Sequence, residues 1–418
     1  MVLEIRLSNF FSIKEEIVLD LRAGNIKTQK TKTLTQNIFE FDKTEVLKTV
    51  ALYGANASGK SNIIKAIRFC NAMVFASDQH NENTVFKFKP FKFKGYSKKP
   101  STYFIRFVSN NIEYEYAYSL TQTEILTESL YYYPKGRRAK IFTREEGEGK
   151  SKSETYSFGA VIKKPMVVAE NTSLKTLYVS RASQMDRVIP KEIFNYFNNT
   201  FILGYKGYNA RAVEILFTEN KTLLLQALKM ADSDIIDIKT KKEVQKVRHL
   251  IANPDTSQAS FEDALEEHLR ITTYHKSSPK TAFDFNTEES AGTQKLFFIM
   301  LTILDIVKNN KILIIDEIED SLHTNIIEYI IEIFNASKQA QLIYSTHNTK
   351  LLDLDRLRKD QIFFVNKKED ASTELYSLYD FKDFRDTMDV EKAYLQGRFD
   401  AIPFIDDSIE NIKSIINE

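Results

Sequence analysis

The strongest apolar runs in this chain are short and unbroken. Ile312, Leu313, Ile314 and Ile315 follow one another without a polar interruption, the pattern of a strand buried on both faces of a parallel sheet. VALY closes a similar strand over Val46–Tyr53, and QLIYST at 341–346 reads as another. Elsewhere the period is two. Residues 2–21 alternate in VLEIRL and EEIVLDL around Asn9-Phe10-Phe11-Ser12, which predicts two strands and a turn. From about Val85 to Thr143 the runs FKFKPFKFKGY, STYFIRFV, IEYEYAYSL and SLYYYPKGRRAKIF alternate strictly, predicting an antiparallel sheet with a turn at Pro134-Lys-Gly136. The glycine-rich, charged stretch Glu145–Glu154 reads as a mobile hairpin loop. Between about Ser173 and Thr272 the period becomes helical: Leu174–Arg187, Lys191–Phe201, Ala212–Ala231 and Phe261–Arg270 place apolar residues at i, i+3, i+4. After Pro279 come a strand (TAFDFN), a long apolar helix Leu296–Val307 and a helix Asn325–Ser337.

Chemistry collects where these elements end. The strand ending at Tyr53 runs into Gly54-Ala-Asn-Ala-Ser-Gly59-Lys60-Ser61, an octet that satisfies GxxxxGK[ST], and a helix follows over Asn62–Val74. In that context the glycines let a loop wrap with its amides inward, and the helix amino terminus favours phosphate. Lys60 would bridge the β- and γ-phosphates of a nucleotide and Ser61 would ligate Mg²⁺. The run at 312–315 ends in Asp316 and Glu317, so that one carboxylate can help to hold a hydrated Mg²⁺ while its neighbour polarises a water. The plain alternative is a strand meeting a solvated acidic turn. Ser290, Ala291 and Gly292 are small residues at a predicted helix start, a second anion-binding geometry. His347 lies one residue past QLIYST, at the sheet edge expected to hold Asp316 and Lys60.

Composition narrows the field. Lys and Arg number 58 and Asp and Glu 57, a formal net charge of +1, so any nucleic-acid contact needs a local patch. Interleaved lysines and aromatics between Phe86 and Lys99, with Arg137, Arg138 and Lys140, offer such a platform; half-buried strands with lysines facing water are the plainer reading. The single Cys70 excludes an internal disulfide framework and a cysteine-built zinc site, and reads as a small buried residue on a helix. His249, His268 and His275 lack ligand spacing. The amino terminus has no signal-peptide core, and LFFIMLTILDIV is too short to span a bilayer and is broken by Asp305. The expectation is a cytoplasmic protein with no membrane partner.

GANASGKSN, ESAGTQKLF, ILIIDEIEDSLH, LIYSTHNTKLLD, LRKDQIFFV, LYSLYDFK and KAYLQGRFDAIPFI, in that order, resemble the ATP-binding cassette superfamily in the branch shared with SMC, RecF and OLD-like ATPases. Within it the chain is similar to the stand-alone ATPases of bacterial abortive-infection and phage-defence loci, of AbiL or RloA type. The resemblance implies an α/β fold: a P-loop ABC-type ATPase head with an antiparallel β-lobe and an inserted helical segment. Its amino-terminal half would be 1–172, the helical insertion 173–278, and the carboxy-terminal half 279–418. It implies that ATP and Mg²⁺ are the cofactors and that Gly54, Asn56, Gly59, Lys60, Ser61 and Asn62 hold the nucleotide. Ser61 and Asp316 would bind the metal, Glu317 would position the attacking water, and His347 would contact the γ-phosphate. Ser290 and Gly292 would close over ATP held by a second subunit, so hydrolysis would need a head-to-tail homodimer, with higher assembly open.

The chain departs from the superfamily in having ESAGTQ for LSGGQ and His323 where many relatives place an aspartate. Neither Gln79 nor Gln122 is well placed for a Q-loop. The implied function is an ATP-hydrolysing switch that senses infection or restrains a separate effector, a nuclease or toxin, in anti-phage defence. OLD-like nucleases carry a TOPRIM domain after the ATPase, and the residues after His347 are too few for one. Two other readings are a RecF-like repair or clamping ATPase that binds DNA or RNA, and a nucleotide-gated scaffold with negligible turnover.

Overall fold

The computed structural model describes residues 1–402 except 94, 205–209, 232, 253–258 and 321, together with residue 414. The chain divides into two compact units, Met1–Gly204 with Asn310–Glu418, and Tyr205–Asn309. The second unit overlaps the 173–278 segment inferred from helical periodicity over 205–278 and extends past it to Asn309.

In the first unit a six-stranded sheet carries the order Phe201–Leu203, Ile312–Ile315, Gln341–Thr346, Thr49–Tyr53, Ile362–Lys367, Thr373–Ser377. All neighbours are parallel except the last pair. Thr49–Tyr53, Ile312–Ile315 and Gln341–Thr346 are buried along their whole length, which is why their sequences show no polar alternation. The strand preceding the P-loop thus lies beside the one that ends at His347, and that one lies beside the strand that ends at Asp316. Three carboxyl ends share one edge.

A seven-stranded antiparallel sheet forms the lobe, in the order Tyr156–Phe158, Ala139–Glu145, Ile125–Tyr132, Ile112–Leu120, Ser101–Ser109, Val2–Ser8, Ile17–Asp20. Alternation here has its expected consequence: Tyr103, Ile105, Phe107, Tyr114, Tyr116 and Tyr118 are buried in one core with Ile63, Ile67, Cys70 and Val74 of the helix Lys60–Ala76. Tyr118 donates to the Cys70 carbonyl at 2.8 Å and Tyr103 to Asn71 Oδ1 at 3.0 Å. The helix that carries Lys60 is therefore anchored to the lobe by phenols whose polar ends are satisfied inside the core.

Two expected elements differ. In the stretch 86–99, Phe86, Phe88 and Phe91 are buried and Lys87, Lys89 and Lys92 exposed, but its described residues form no strand. Its backbone finds other partners. The Asn9 side chain donates to the carbonyls of Tyr96, Lys99 and Pro100 and accepts from the Phe91 N–H, and the Phe11 N–H donates to Lys89. With its polar groups met this way, the segment plugs phenylalanines into the core without a ladder.

The insertion is also not helical throughout. Helices Tyr178–Gln184, Val188–Thr200 and Ala210–Met230 form as predicted, but Ile235–Ala252 and Ala259–His275 are paired antiparallel strands. Phe261–Arg270 therefore lies in a strand, whose end at Thr272–His275 also pairs with Ser278–Asp284. Phe261, Leu265 and Leu269 satisfy both periods, since four residues is a helical turn and also two strand repeats. A partner strand decides between them. Among the described residues no helix is long and apolar enough to cross a membrane.

Candidate functional site

Gly54 follows Tyr53 directly. A Cβ at Gly54 would overlap the Val365 carbonyl of the adjacent strand, and one at Gly59 would overlap the Thr373 hydroxyl. Gly59 also has φ +115, a left-handed conformation that side chains disfavour. The two glycines are thus demanded by packing as well as by loop curvature. Gly59 is the N-cap of Lys60–Ala76, and no side chain caps the helix by a hydrogen bond there, which leaves the capping amides for an anion.

Lys60 is buried, and its ammonium donates to the carbonyls of Gly54 at 2.7 Å and Ala55 at 3.0 Å. Burial pushes its pKa down to about 8, against the opposing charges of Asp316, Glu317 and Glu319. Asn56, Ser61 and Asn62 line, with Lys60, a cleft of about 230 Å³ whose other side is Glu317 and His347. Asn62 also donates through its amide to Ser12 Oγ at 2.7 Å, and Ser12 meets Thr373 Oγ1 at 2.7 Å. The amino-terminal turn and the last strand of the sheet therefore brace the P-loop from behind.

Across the cleft, Ser345 ties the Asp316 carboxylate to the main chain of Glu317. Its hydroxyl donates to Asp316 Oδ1 at 2.6 Å and accepts the Glu317 N–H at 2.7 Å. Glu317 has φ 51, which turns the chain sharply at the end of the strand, and its carboxylate lies 3.9 Å from His347 Nε2. The His347 N–H donates to the Glu319 carboxylate. The imidazole pKa is lowered, first by burial and then by Lys60, with Glu319, Glu317 and Asp316 opposing. A neutral ring at neutral pH can donate from one nitrogen and accept at the other. Ser61 and Asp316 supply hard oxygen donors of the kind that suit Mg²⁺ when phosphates and water complete its shell.

Gly54, Asn56, Gly59, Lys60, Ser61, Asn62, Asp316, Glu317 and His347 thus fall in one region of the first unit. Ser290 and Gly292 belong to the second. Ser290 caps the helix Ala291–Lys308 by accepting the Thr293 N–H at 3.0 Å. A Cβ at Gly292 would meet only Ser290 Oγ, at 3.7 Å, so packing inside the unit does not require a glycine there. His323 caps Thr324–Ala336, its Nδ1 accepting the Asn325 N–H at 3.3 Å. Gln122 donates to the Phe88 carbonyl and is a lobe residue.

Sequence reasoning missed Ser345, Glu319 and Thr373. Ser345 sits two residues before His347 in QLIYST, and Glu319 lies in the acidic turn after the carboxylate pair, so both had a local signal. Thr373 had none, because its partner is more than 300 residues away.

The two basic stretches do not join. Ser101 pairs with Leu120 and Leu120 with Ile125, which places 86–99 at one end of the lobe, whereas Tyr132 pairs with Ala139 and Tyr114 at the other. Strands of eight or nine residues separate those ends by about 25–30 Å. Arg138 is held by Glu115 at 2.6 Å and lies 3.5 Å over the Tyr131 ring, and Lys140 donates to Ser157 at 2.6 Å.

The family described as "AAA domain, putative AbiEii toxin, Type IV TA system" matches residues 50–353, more than half of the chain. No curated protein matches. Solved structures with a similar fold include the Smc head bound to the C-terminal winged-helix domain of ScpA, at 16% identity and TM-score 0.40 over 94% of this chain and 99% of that one. The SMC head domain from Thermotoga maritima has 15% identity and TM-score 0.38 over 90% and 98%. The Smc head with an extended coiled coil bound to the C-terminal domain of ScpA, from Pyrococcus furiosus, has 14% identity and TM-score 0.39 over 95% and 98%.

Proposed function

Since the chain belongs to that family of AAA domains, we propose that it is an ATP-hydrolysing switch that closes head-to-tail around nucleotide and controls a separate effector protein. The observation that carries this reading is the single cleft in which Lys60 and Ser61 face Glu317 and His347. In it Lys60 would neutralise the β- and γ-phosphates, and Ser61 and Asp316 would hold Mg²⁺, whose charge would offset that of the leaving phosphates. Glu317 orients a water and takes its proton. Neutral His347 donates to a γ-phosphate oxygen, and its main chain is held by Glu319 while it does so. Catalysis of this kind is positioning and electrostatics, with little covalent work for the protein.

The Ser290–Gly292 turn of a second copy completes the site. An exposed helix start whose glycine has open space around it suits close approach by a phosphate. Closure would therefore report that ATP is bound, and opening that it has been hydrolysed. The toxin–antitoxin description of the family supports a role in bacterial anti-phage defence, with a separate nuclease or toxin as the second polypeptide. A DNA clamp is the weaker reading, because the basic stretches it would need lie at opposite ends of the lobe.

The test is Glu317→Gln with Mg²⁺ and ATP, followed by analytical ultracentrifugation. Binding without turnover should trap a dimer, and adding Lys60→Ala should abolish both nucleotide binding and the dimer. A Glu317→Gln protein that stays monomeric at every concentration would rule out the sandwich.

A further inference from the structure

His275 ends the strand Ala259–His275, pairs in register with Ile235 at the start of the partner strand, and has both ring nitrogens engaged by carboxylates. Nδ1 lies 2.7 Å from Asp234 Oδ1 and Nε2 lies 2.7 Å from Glu289 Oε1. Thr273, on the same strand, donates to the same Glu289 oxygen. The ring is 15% exposed and Glu289 6%, and Phe283 of the third strand packs edge-on at 4.8 Å. A neutral imidazole has one N–H and would set its bare nitrogen against an anion. Two carboxylates at hydrogen-bond distance therefore select the imidazolium, which donates to both.

The position of Glu289 gives this bridge its meaning. It is the residue before Ser290, and its carbonyl accepts from Gln294 in the first turn of the following helix at 3.1 Å. Asp234 stands at the entrance of the hairpin, where its carbonyl accepts the Lys276 N–H at 3.0 Å. One side chain thus joins the way into the hairpin, the way out of it, and the turn at 289–292. Around it the hairpin base is firm: Ile235, Ile238, Ile271 and Thr273 are buried.

We propose that His275 is a positioning residue for the Ser290–Gly292 turn, tying Glu289 to the base of the hairpin so that the turn is preset to close on nucleotide held by a second copy. The proposal rests on the sandwich reading above and adds to it the group that sets the turn. It also gives closure a pH dependence. Burial lowers the imidazole pKa, but the hydrogen bonds and charges of Asp234 and Glu289 more than offset this, and the net shift is upward. Among the described residues, those two carboxylates are the charged groups that face the ring. A group raised on folding contributes fully below its unfolded value, and the contribution is lost as pH rises through the folded value.

The experiment measures ATP-dependent dimerisation in the Glu317→Gln background, at nucleotide concentrations that saturate the P-loop at every pH. The parent should dimerise less well as pH rises through the raised His275 value. His275→Gln in the same background should dimerise about tenfold more weakly at the acidic end, the equivalent of one lost charge-assisted hydrogen bond, and should lose that pH dependence. Glu289→Gln should keep a pH-dependent fall but move it to lower pH, because one of the two anions that hold the imidazolium is gone. Affinity of the monomer for a fluorescent ATP analogue should be unchanged in both, which a general loss of structure would not leave intact. If His275→Gln does not fold, the shift in Glu289→Gln decides. A parent that never dimerises overturns the sandwich and this inference together; a dimer with the parent's affinity and pH profile in both variants overturns this inference alone.

Discussion

At the scale of single residues, the site is governed by charges held out of water. Lys60 is the clearest case, because burial brings its pKa down to about 8. At that pH the free protein carries the group half protonated, and nucleotide phosphates restore the proton when they bind. MgATP binding at pH 8 should therefore take up about half a proton per site, and close to none at about pH 6. Calorimetry in buffers of different ionisation enthalpy measures this directly, and zero uptake at pH 8 would contradict the assignment. A second buried charge matters to stability. Glu128 accepts from Tyr116 at 2.8 Å and from the Tyr178 and Val179 amides at 2.6 and 3.0 Å, with Arg144 at 3.7 Å, both side chains fully enclosed. Removing Glu128 leaves the Tyr116 hydroxyl and the Tyr178 and Val179 amides without their acceptor in a closed core, while Arg144 keeps Glu146 at 2.7 Å. Glu128→Ala should cost about 3–5 kcal/mol in urea unfolding, and a loss near zero would show that the pair is not enclosed in solution. Neither residue was visible as special in the sequence, since Glu128 lies in an ordinary alternating strand.

At the scale of elements, the P-loop shows how local pattern and distant packing agree. The octet was legible because its glycine spacing, lysine and following helix are contiguous. The reason the second glycine cannot be replaced was not legible, because it lies in Thr373 of the edge strand and in Ser12 of the amino-terminal turn. Gly59→Ala should combine left-handed backbone strain with that overlap, at about 1–3 kcal/mol, and should abolish nucleotide binding while the lobe stays folded. A variant that binds ATP normally would mean that the loop can relax away from Thr373. The stretch 86–99 and the strand Ala259–His275 teach the converse. Both have a clear period, and in both the element depends on whether a second strand is available. Alternation correctly assigned Phe86, Phe88 and Phe91 as buried but not Phe93, which is exposed, so a side chain's fate follows the local pattern only as far as the core reaches. In 261–270 the same apolar positions served two periods, and only the ladder with 235–252 separated them.

At the scale of the whole molecule, the catalytic candidates and the turn at Ser290 fall into different compact units. Nucleotide binding should therefore be insensitive to the length of the hairpin. Thr240 and Ile271 pair in register, so joining them by a two-residue turn removes the outer hairpin and keeps its base with Asp234, His275 and Glu289. This shortened protein should bind ATP as tightly as the parent, and weaker binding would show that the outer hairpin supports the P-loop. The separation of the two basic stretches belongs to the same scale. Each looked suitable for nucleic acid by composition, and only strand order places them at opposite ends of a sheet.

By itself the sequence determined that this chain carries a phosphate-binding loop, a carboxylate pair at the end of a buried strand and a histidine beyond another. Those features are written in residues that adjoin one another, where spacing and geometry are the same thing. Tertiary structure decided that the three strands lie side by side with the histidine strand in the middle, that Ser345 holds Asp316 and the main chain of Glu317 while Glu319 holds that of His347, and that a hairpin stands where a helix was expected. Each of these depends on contacts between segments far apart in the chain. Such contacts are settled by which buried surfaces and unpaired backbone groups find one another, and a local pattern does not encode that choice.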